Sequence, residues 1–365
     1  MSTTLPRNPP APVRPRAVSE VPGTSLHPVS ARRAVVVALG ALVGAVVLGV
    51  SIGPADVSFS AALRVVASHV PFVHFHSGVS RIDADILWQI RLPRVVLGGM
   101  VGAMLAGGGA AFQGVFRNPL ADPYLLGVAA GAGLGATVVI VAGSRLSEIL
   151  PLAAFAGAVG AVTLTYLIGA TVGRQATVSI VLAGVAVAAL LTAIQTFLQQ
   201  QHAPDLQAVY GWILGSLTVA TWSDVLLILP YVAVSALVLM AHRRLLDVLR
   251  VGETEADSLG VRSSRVRLTV VAAATLGTAA AVAVSGLIGF VGIIVPHTVR
   301  LTTNASYRVV MPVSMIGGAA FLILADVAAR TVLAPSEIPI GVVTAFVGAP
   351  FFLFVLRSRR VGRST

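Results

Sequence analysis

The sequence predicts an all-α polytopic membrane protein of about ten transmembrane helices, with both termini in the cytoplasm. Three observations carry that expectation. Of 365 residues, 56% are hydrophobic and 11% charged, with a mean hydropathy of +0.91. Soluble domains carry roughly 25% charged residues, so this chain has too little charge to clothe a soluble surface. Apolar runs recur at 34–52, 92–116, 124–142, 149–172, 178–198, 225–240, 266–284, 287–301, 309–329 and 340–356. A span needs ~20 apolar residues, and with connections the length has room for about ten. The arginines between the runs are also uneven. Arg64, Arg81, Arg91, Arg94, Arg145 and Arg330 fall in one set of segments and the other nineteen in the alternate set. Cytoplasmic loops carry the excess of positive charge, which fixes the orientation as N-in and C-in.

Several chemistries are excluded. There is no Cys, and none of the 25 basic residues is Lys. Thiolate nucleophiles, Cys-based metal centres, Schiff bases and the P-loop lysine all go with them. If ATP drives this protein, another chain must bind it. The net charge of +11 follows from the positive-inside bias and does not call for nucleic acid. No Ser-His-Asp, H-E-x-x-H or paired-carboxylate arrangement stands out. The chain is therefore expected to be no enzyme and to hold no cofactor of its own.

Taken in order, residues 1–32 are rich in Pro, Ser and Arg and read as a disordered cytoplasmic tail. Residues 33–357 form the transmembrane domain, and 358–365 a short cytoplasmic tail. The first long outward segment, 53–90, carries His69, His74 and His76. With no acidic or sulfur ligands nearby, a solvated loop is expected and no metal site is assigned. A second outward segment covers 199–224. The spans are rich in Gly and Ala, as in "GGMVGAMLAGGGAAF", and small residues let transmembrane helices approach closely. "FRNPLADPYLLG" at 116–127 breaks the apolar pattern with two prolines and an aspartate. In the inward segment 241–265, Leu245, Leu246, Val248, Leu249, Ala256 and Leu259 alternate with charges, and Gly252 and Gly260 punctuate them. That predicts two short interfacial helices joined by a turn. Such a pair is either a knob on which a cytoplasmic partner pushes or a pair lying on the membrane surface. Asp326 is the one ionisable residue that looks embedded, with Arg330 a turn away as its partner. That scarcity weighs against the alternative reading, an ion-coupled secondary transporter of a small organic solute.

Five segments, "QIRLPR", "FQGVFRNPLADPYLLGVAAGAGLGA", "GETEADSLGV", "GFVGIIVPHTVRL" and "SEIPIGVVTAFVGAPFFLFVL", stand in order across roughly 87–356. Together they resemble the FecCD permease family, the membrane subunits of binding-protein-dependent ABC importers for iron–siderophores, haem and cobalamin. The resemblance implies a ten-helix permease domain paired with a second permease subunit, either an identical copy or a paralogue. It further implies two copies of a separate P-loop ATPase, an extracytoplasmic substrate-binding protein, and a bacterial inner-membrane location. It places binding-protein docking on the exposed arginines Arg91, Arg94 and Arg330. It places ATPase coupling on 245–261, with Leu246, Gly252, Glu253, Ala256, Leu259 and Gly260. It lines the pathway with the fifth span, through Thr192, Gln195, Thr196 and Gln199, and sets a cytoplasmic constriction near Leu120 and Thr177. The function it implies is import of ferric siderophore, with haem and cobalamin as the other cargoes.

Overall fold

The computed structural model describes residues 29–53, 58–69, 78–143, 149–171, 176–303 and 306–361. Among them every regular element is helical. The order is α1 (Ala31–Ser51), α2 (Phe59–Ser68), α3 (Arg81–Asp85), a π-helical turn (Ile86–Arg91), α4 (Leu92–Val115), α5 (Val128–Ala142), α6 (Leu150–Thr171) and α7 (Ala176–Gln201). It continues with α8 (Leu206–Ile213), α9 (Trp222–Leu249), α10 (Glu253–Ser258), α11 (Ser263–Ser285), α12 (Val291–Thr302), α13 (Tyr307–Thr331) and α14 (Ile340–Val361).

Among the described residues, seven helices are long and apolar enough to cross a membrane: α1, α4 with the turns before it, α6, α7, α9, α11 and α13. The other three apolar runs also fold as helices, with shorter apolar stretches. α5 has 15 residues and α12 has 12, so at ~1.5 Å per residue each falls short of the ~30 Å hydrocarbon core. The apolar part of α14 is Ile340–Phe354, and the helix runs on past the boundary expected at 357.

Local chemistry sets the element ends. The Ser58 hydroxyl accepts from the Ala61 amide to start α2. Thr221 and Asp224 form a reciprocal capping box at α9, which satisfies two orphan amide donors. The inward segment departs from the expected pair of short helices. Its first half is the last turns of α9, where Leu246 and Leu249 are buried and hold the helix against the bundle. Only its second half, α10, is a separate short helix.

His74 and His76 lie outside the described residues. The His69 ring stacks on Trp88 with centroids 3.7 Å apart, and its Nδ1 lies 2.9 Å from the Val65 carbonyl oxygen. No group of three or more His, Cys, Asp or Glu that could hold a metal occurs among the described residues.

The core is α4, α11 and α13, with Phe112, Met104, Met311 and Leu322 fully enclosed. Large apolar side chains such as Val37, Leu182, Leu237 and Phe346 are exposed around it, as a lipid-facing rim requires. Lipid tails are as apolar as leucine, so helix association in a bilayer relies on close packing. Here α4 meets α13 backbone to backbone. A Cβ on Gly102 would strike the Gly318 carbonyl, and one on Gly318 would strike the Gly102 carbonyl. The same close approach recurs between Gly109 of α4 and Gly292 of α12. Adding one methyl at such a point forces the backbones apart, which costs ~1–3 kcal/mol. Gly102→Ala should therefore lower the thermal unfolding midpoint of the purified protein. Gly40→Ala, at a position with nothing within 4 Å, should leave it unchanged or slightly raised.

Candidate functional site

Three groups of residues lie where function was expected: an ionic cluster at one end of the bundle, a rigid hairpin at the other, and a polar face on α7.

The cluster joins α1, α4, α13 and the turn before α14. Arg94 is its centre. Its Nε donates to both carboxylate oxygens of Asp326 at 3.0 Å and its Nη2 to Oδ1 at 2.8 Å. Nη1 and Nη2 also donate to Oε1 and Oε2 of Glu337, each at 2.9 Å. One planar guanidinium thus grips two carboxylates at once, which its fixed fork of five donors allows. The Arg330 Nε lies 3.6 Å from Asp326 Oδ2, and its Nη2 donates to the Gly49 carbonyl at 2.5 Å. Arg91 Nη1 donates to the carbonyls of Val50 and Ser51 at 2.8 and 3.0 Å. The last carbonyls of a helix have no partner within it and carry partial negative charge, so the two arginines cap α1. The Glu337 carboxylate, one-third exposed, also accepts from the Thr218 hydroxyl at 2.7 Å.

This corrects the expectation of exposed arginines. Arg91, Arg94 and Arg330 are 3%, 6% and 5% exposed, because their charge is matched inside the bundle by Asp326, Glu337 and the end of α1. The spacing of Asp326 and Arg330 had offered one partner. The tighter one, Arg94, lies 232 residues away in sequence and leaves no local signal. Glu337 stands inside the quoted "SEIPIG" and was not singled out.

The hairpin is α10 with its flanking turns. Gly252 precedes it at φ 132°, and Gly260 follows at φ 81°, both conformations that favour glycine. The amides of Val261 and Gly260 donate to the carbonyls of Ala256 and Asp257 at 3.0 and 2.9 Å, the double bond of a Schellman motif. Glu253, in the favourable first turn, pairs with Arg267 of α11. The Ser263 amide donates to Asp257 Oδ1 at 3.0 Å. Ala256 is fully buried, as is Leu246 on α9, whereas Leu259 and Val251 are exposed by 69% and 60%. The result is a braced knob with an apolar tip.

On α7, Thr192, Gln195, Thr196 and Gln199 share one face at ~100° per residue. Gln195 and Gln199 form its buried edge and Thr192 and Thr196 its open edge. Thr177 lies in the first turn of α7, and its side chain is outside the described residues. Leu120 sits in the turn after α4, 41% exposed, its amide held by Asn118 Oδ1 at 3.0 Å. In the same turn Asp122 accepts from the Tyr124 amide at 2.8 Å. Burial nevertheless pushes its carboxyl up to about 6. The Tyr124 hydroxyl donates to the Ile288 carbonyl at 3.1 Å, tying this corner to the loop before α12.

Two tests read the cluster. Removing one partner of a buried ion pair typically costs ~3–5 kcal/mol, so Asp326→Leu should lose folded protein on size-exclusion chromatography. The bond from Arg94 holds the Glu337 carboxyl below the ordinary value of 4.5. A depressed acid contributes stability above its unfolded pKa and loses it as pH falls through its folded pKa. The midpoint of the native chain should therefore drop on acidification below about pH 4.5, and that part of the drop should vanish in Glu337→Gln.

Comparison with known proteins gives a consistent picture. A model of the FecCD transport family matches residues 41–358. The cobalamin import system permease protein BtuC of Halobacterium salinarum is 42% identical over 322 residues, covering 86% of this chain and 87% of its own. The hemin transport system permease protein HmuU of Yersinia pestis is 38% identical over 294 residues, 77% of this chain and 86% of its own. A solved structure, described as an inward-facing conformation of a metal-chelate type ABC transporter, superposes with a TM-score of 0.78 at 28% identity. It covers 89% of this chain and 99% of the other.

Proposed function

The chain belongs to the FecCD transport family, and from that premise we propose that it is the membrane-spanning permease subunit of an ABC importer for a metal chelate: a ferric siderophore, haem or cobalamin. Relatives of this kind are transport components and not enzymes, which agrees with the missing P-loop lysine. The observation that carries the reading is the braced α10 knob. A short helix fixed at both ends, with Leu259 and Val251 bare at its tip, is suited to seat in a cavity of a separate ATPase. Through Glu253 and Arg267 it would pass the ATPase's movement to α11. Leu246, Gly252, Ala256 and Gly260 supply the knob's buried base and its two turns.

In this reading the arginine-rich end is cytoplasmic, the ten apolar helices form the inner-membrane bundle with both termini inside, α5 and α12 crossing only part of its thickness, and two copies of the ATPase serve two permease subunits. The open edge of α7, with Thr192 and Thr196, faces the second subunit across the pathway. Gln195 and Gln199 stiffen that wall from behind, and Leu120 with Thr177 narrows the cytoplasmic exit. The binding protein docks at the outer end. Arg94 reaches it by exchange: an acidic side chain of the binding protein replaces the partly exposed Glu337, while Arg91 and Arg330 keep α1 in place.

The test is uptake into membrane vesicles carrying the chain with its ATPase and binding protein, using labelled siderophore, haem and cobalamin. One of these should accumulate only with ATP on the cytoplasmic side, and a protonophore should not stop it. Ala256→Arg, which puts a charge into the buried base of the knob, should cut uptake at least about tenfold by loss of ~1.4 kcal/mol or more of coupling. Accumulation without ATP that collapses with the proton gradient would overturn the importer reading.

A further inference from the structure

The segment between α1 and α4, which the sequence reads as a solvated loop, contains α2. At ~100° per residue the side chains Ala61, Val65, Ala62, Val66, Phe59 and Leu63 follow one another around an apolar arc of ~200°. Ser60, Arg64 and Ser68 occupy the opposite arc. The bundle covers only the first half of the apolar arc. Ala61, Ala62 and Val65 are buried in a cluster with Ala45 and Val50 of α1 and Leu87 of the π-helical turn. The second half has no cover. Phe59 is half-buried, and Val66 and Leu63 are exposed by 39% and 56%.

Two observations say what lies against that half. The first is depth. His69 ends α2, and its ring stacks on Trp88 at 3.7 Å between centroids. The Trp88 and Trp222 centroids are 5.2 Å apart, and the Trp222 Nε1 donates to the Trp88 carbonyl at 2.7 Å. Trp222 is the first residue of α9, a helix long enough to span. The aromatic run therefore ties α2 to the level at which a span begins, and Trp is enriched at that level in both leaflets. The second is continuity. Val43, Leu48 and Ile52 leave one side of α1 bare and apolar down to the end where α2 packs on it, and no charge interrupts the apolar arc of α2 beside them. A soluble partner that comes and goes would leave these side chains in water between visits, an unfavourable exposure of apolar surface. A bilayer covers them at all times.

We propose that α2 lies flat in the headgroup zone of the bilayer at the ionic end of the bundle, with Phe59, Leu63 and Val66 set into phospholipid and Ser60, Arg64 and Ser68 turned to water. Helices with such a division of faces lie in the plane of the interface, their apolar side sunk ~5–10 Å toward the acyl chains. The His69–Trp88–Trp222 contact fixes α2 at this depth, so the end of α1 that Arg91 and Arg330 cap is supported by lipid as well as by the bundle. The seat requires a bilayer and is independent of what the chain transports.

The chain has no Cys, so a single introduced cysteine is a unique attachment point for a nitroxide spin label. The full chain is reconstituted in phosphatidylcholine vesicles, and each label is read by its relaxation with oxygen, which concentrates in lipid, and with a water-soluble nickel complex. Leu63→Cys should favour oxygen over nickel several-fold more than Arg64→Cys, and should resemble Val37→Cys on the lipid-facing rim. If the label at Leu63 prevents reconstitution, Val66→Cys reads the same face. Equal access of nickel to the Leu63 and Arg64 positions would place the face in water, open to a soluble protein, and would overturn the proposal. A label at Leu63 that neither reagent reaches would mean that protein covers it, from this chain or a second copy, and would overturn it as well. Neither result bears on the importer assignment, which uptake tests separately.

Discussion

Everything at the ionic end of the bundle depends on Arg94. Among the described residues its guanidinium bonds both Asp326 of α13 and Glu337 of the turn into α14, and it does so from inside α4. Without it, two carboxylates would sit together in a region of low polarity, and Arg330 alone would face them. With it, three guanidiniums and two carboxylates leave a small positive excess, which the carbonyls at the end of α1 absorb. A charge cluster of this kind adds little net stability over an apolar core of the same shape. It specifies arrangement: α1, α4, α13 and the approach to α14 can meet in one register only.

The opposite end is held by other means. Around α10 the backbone does most of the fixing, through two glycines in conformations that side chains disfavour and a pair of amide bonds that close the helix. One ion pair, Glu253 to Arg267, fastens the unit to α11. The two ends thus differ in construction, one matching charges between distant helices and the other bracing a short segment by its backbone.

How much of the fold is legible in the sequence varies from element to element, for physical reasons. The apolar runs were legible because a bilayer demands them, and every run became a helix. Their lengths were less legible. The 12 residues of α12 end where Phe290 and the turn at Thr303 interrupt regular hydrogen bonding, and hydropathy does not register such ends. Gly252 and Gly260 marked α10 correctly, since a glycine at a helix boundary has a local cause. The preceding helix was expected to be separate, yet α9 runs through it, because alternation of leucine and charge looks the same on a continuous helix as on a broken one. Asp326 and Arg330 were visible through their spacing of one turn. Arg94 and Glu337 were visible as residues but not as partners, since nothing local ties positions so far apart in the chain. The expectation of exposed arginines failed at that point: counting charges per segment does not say whether they face water.

The glycine contacts between α4, α12 and α13 have a mechanical consequence. Where backbones touch directly, no side chain lies between them to tilt, rotate or compress. Ordinary helix pairs can absorb a small displacement by shifting rotamers, but at the Gly102–Gly318 crossing there are none to shift. That crossing is a fixed pivot between α4 and α13, whereas Met315 against Gly107 and the Tyr307 ring against Gly114 leave side chains that can yield on one side of it.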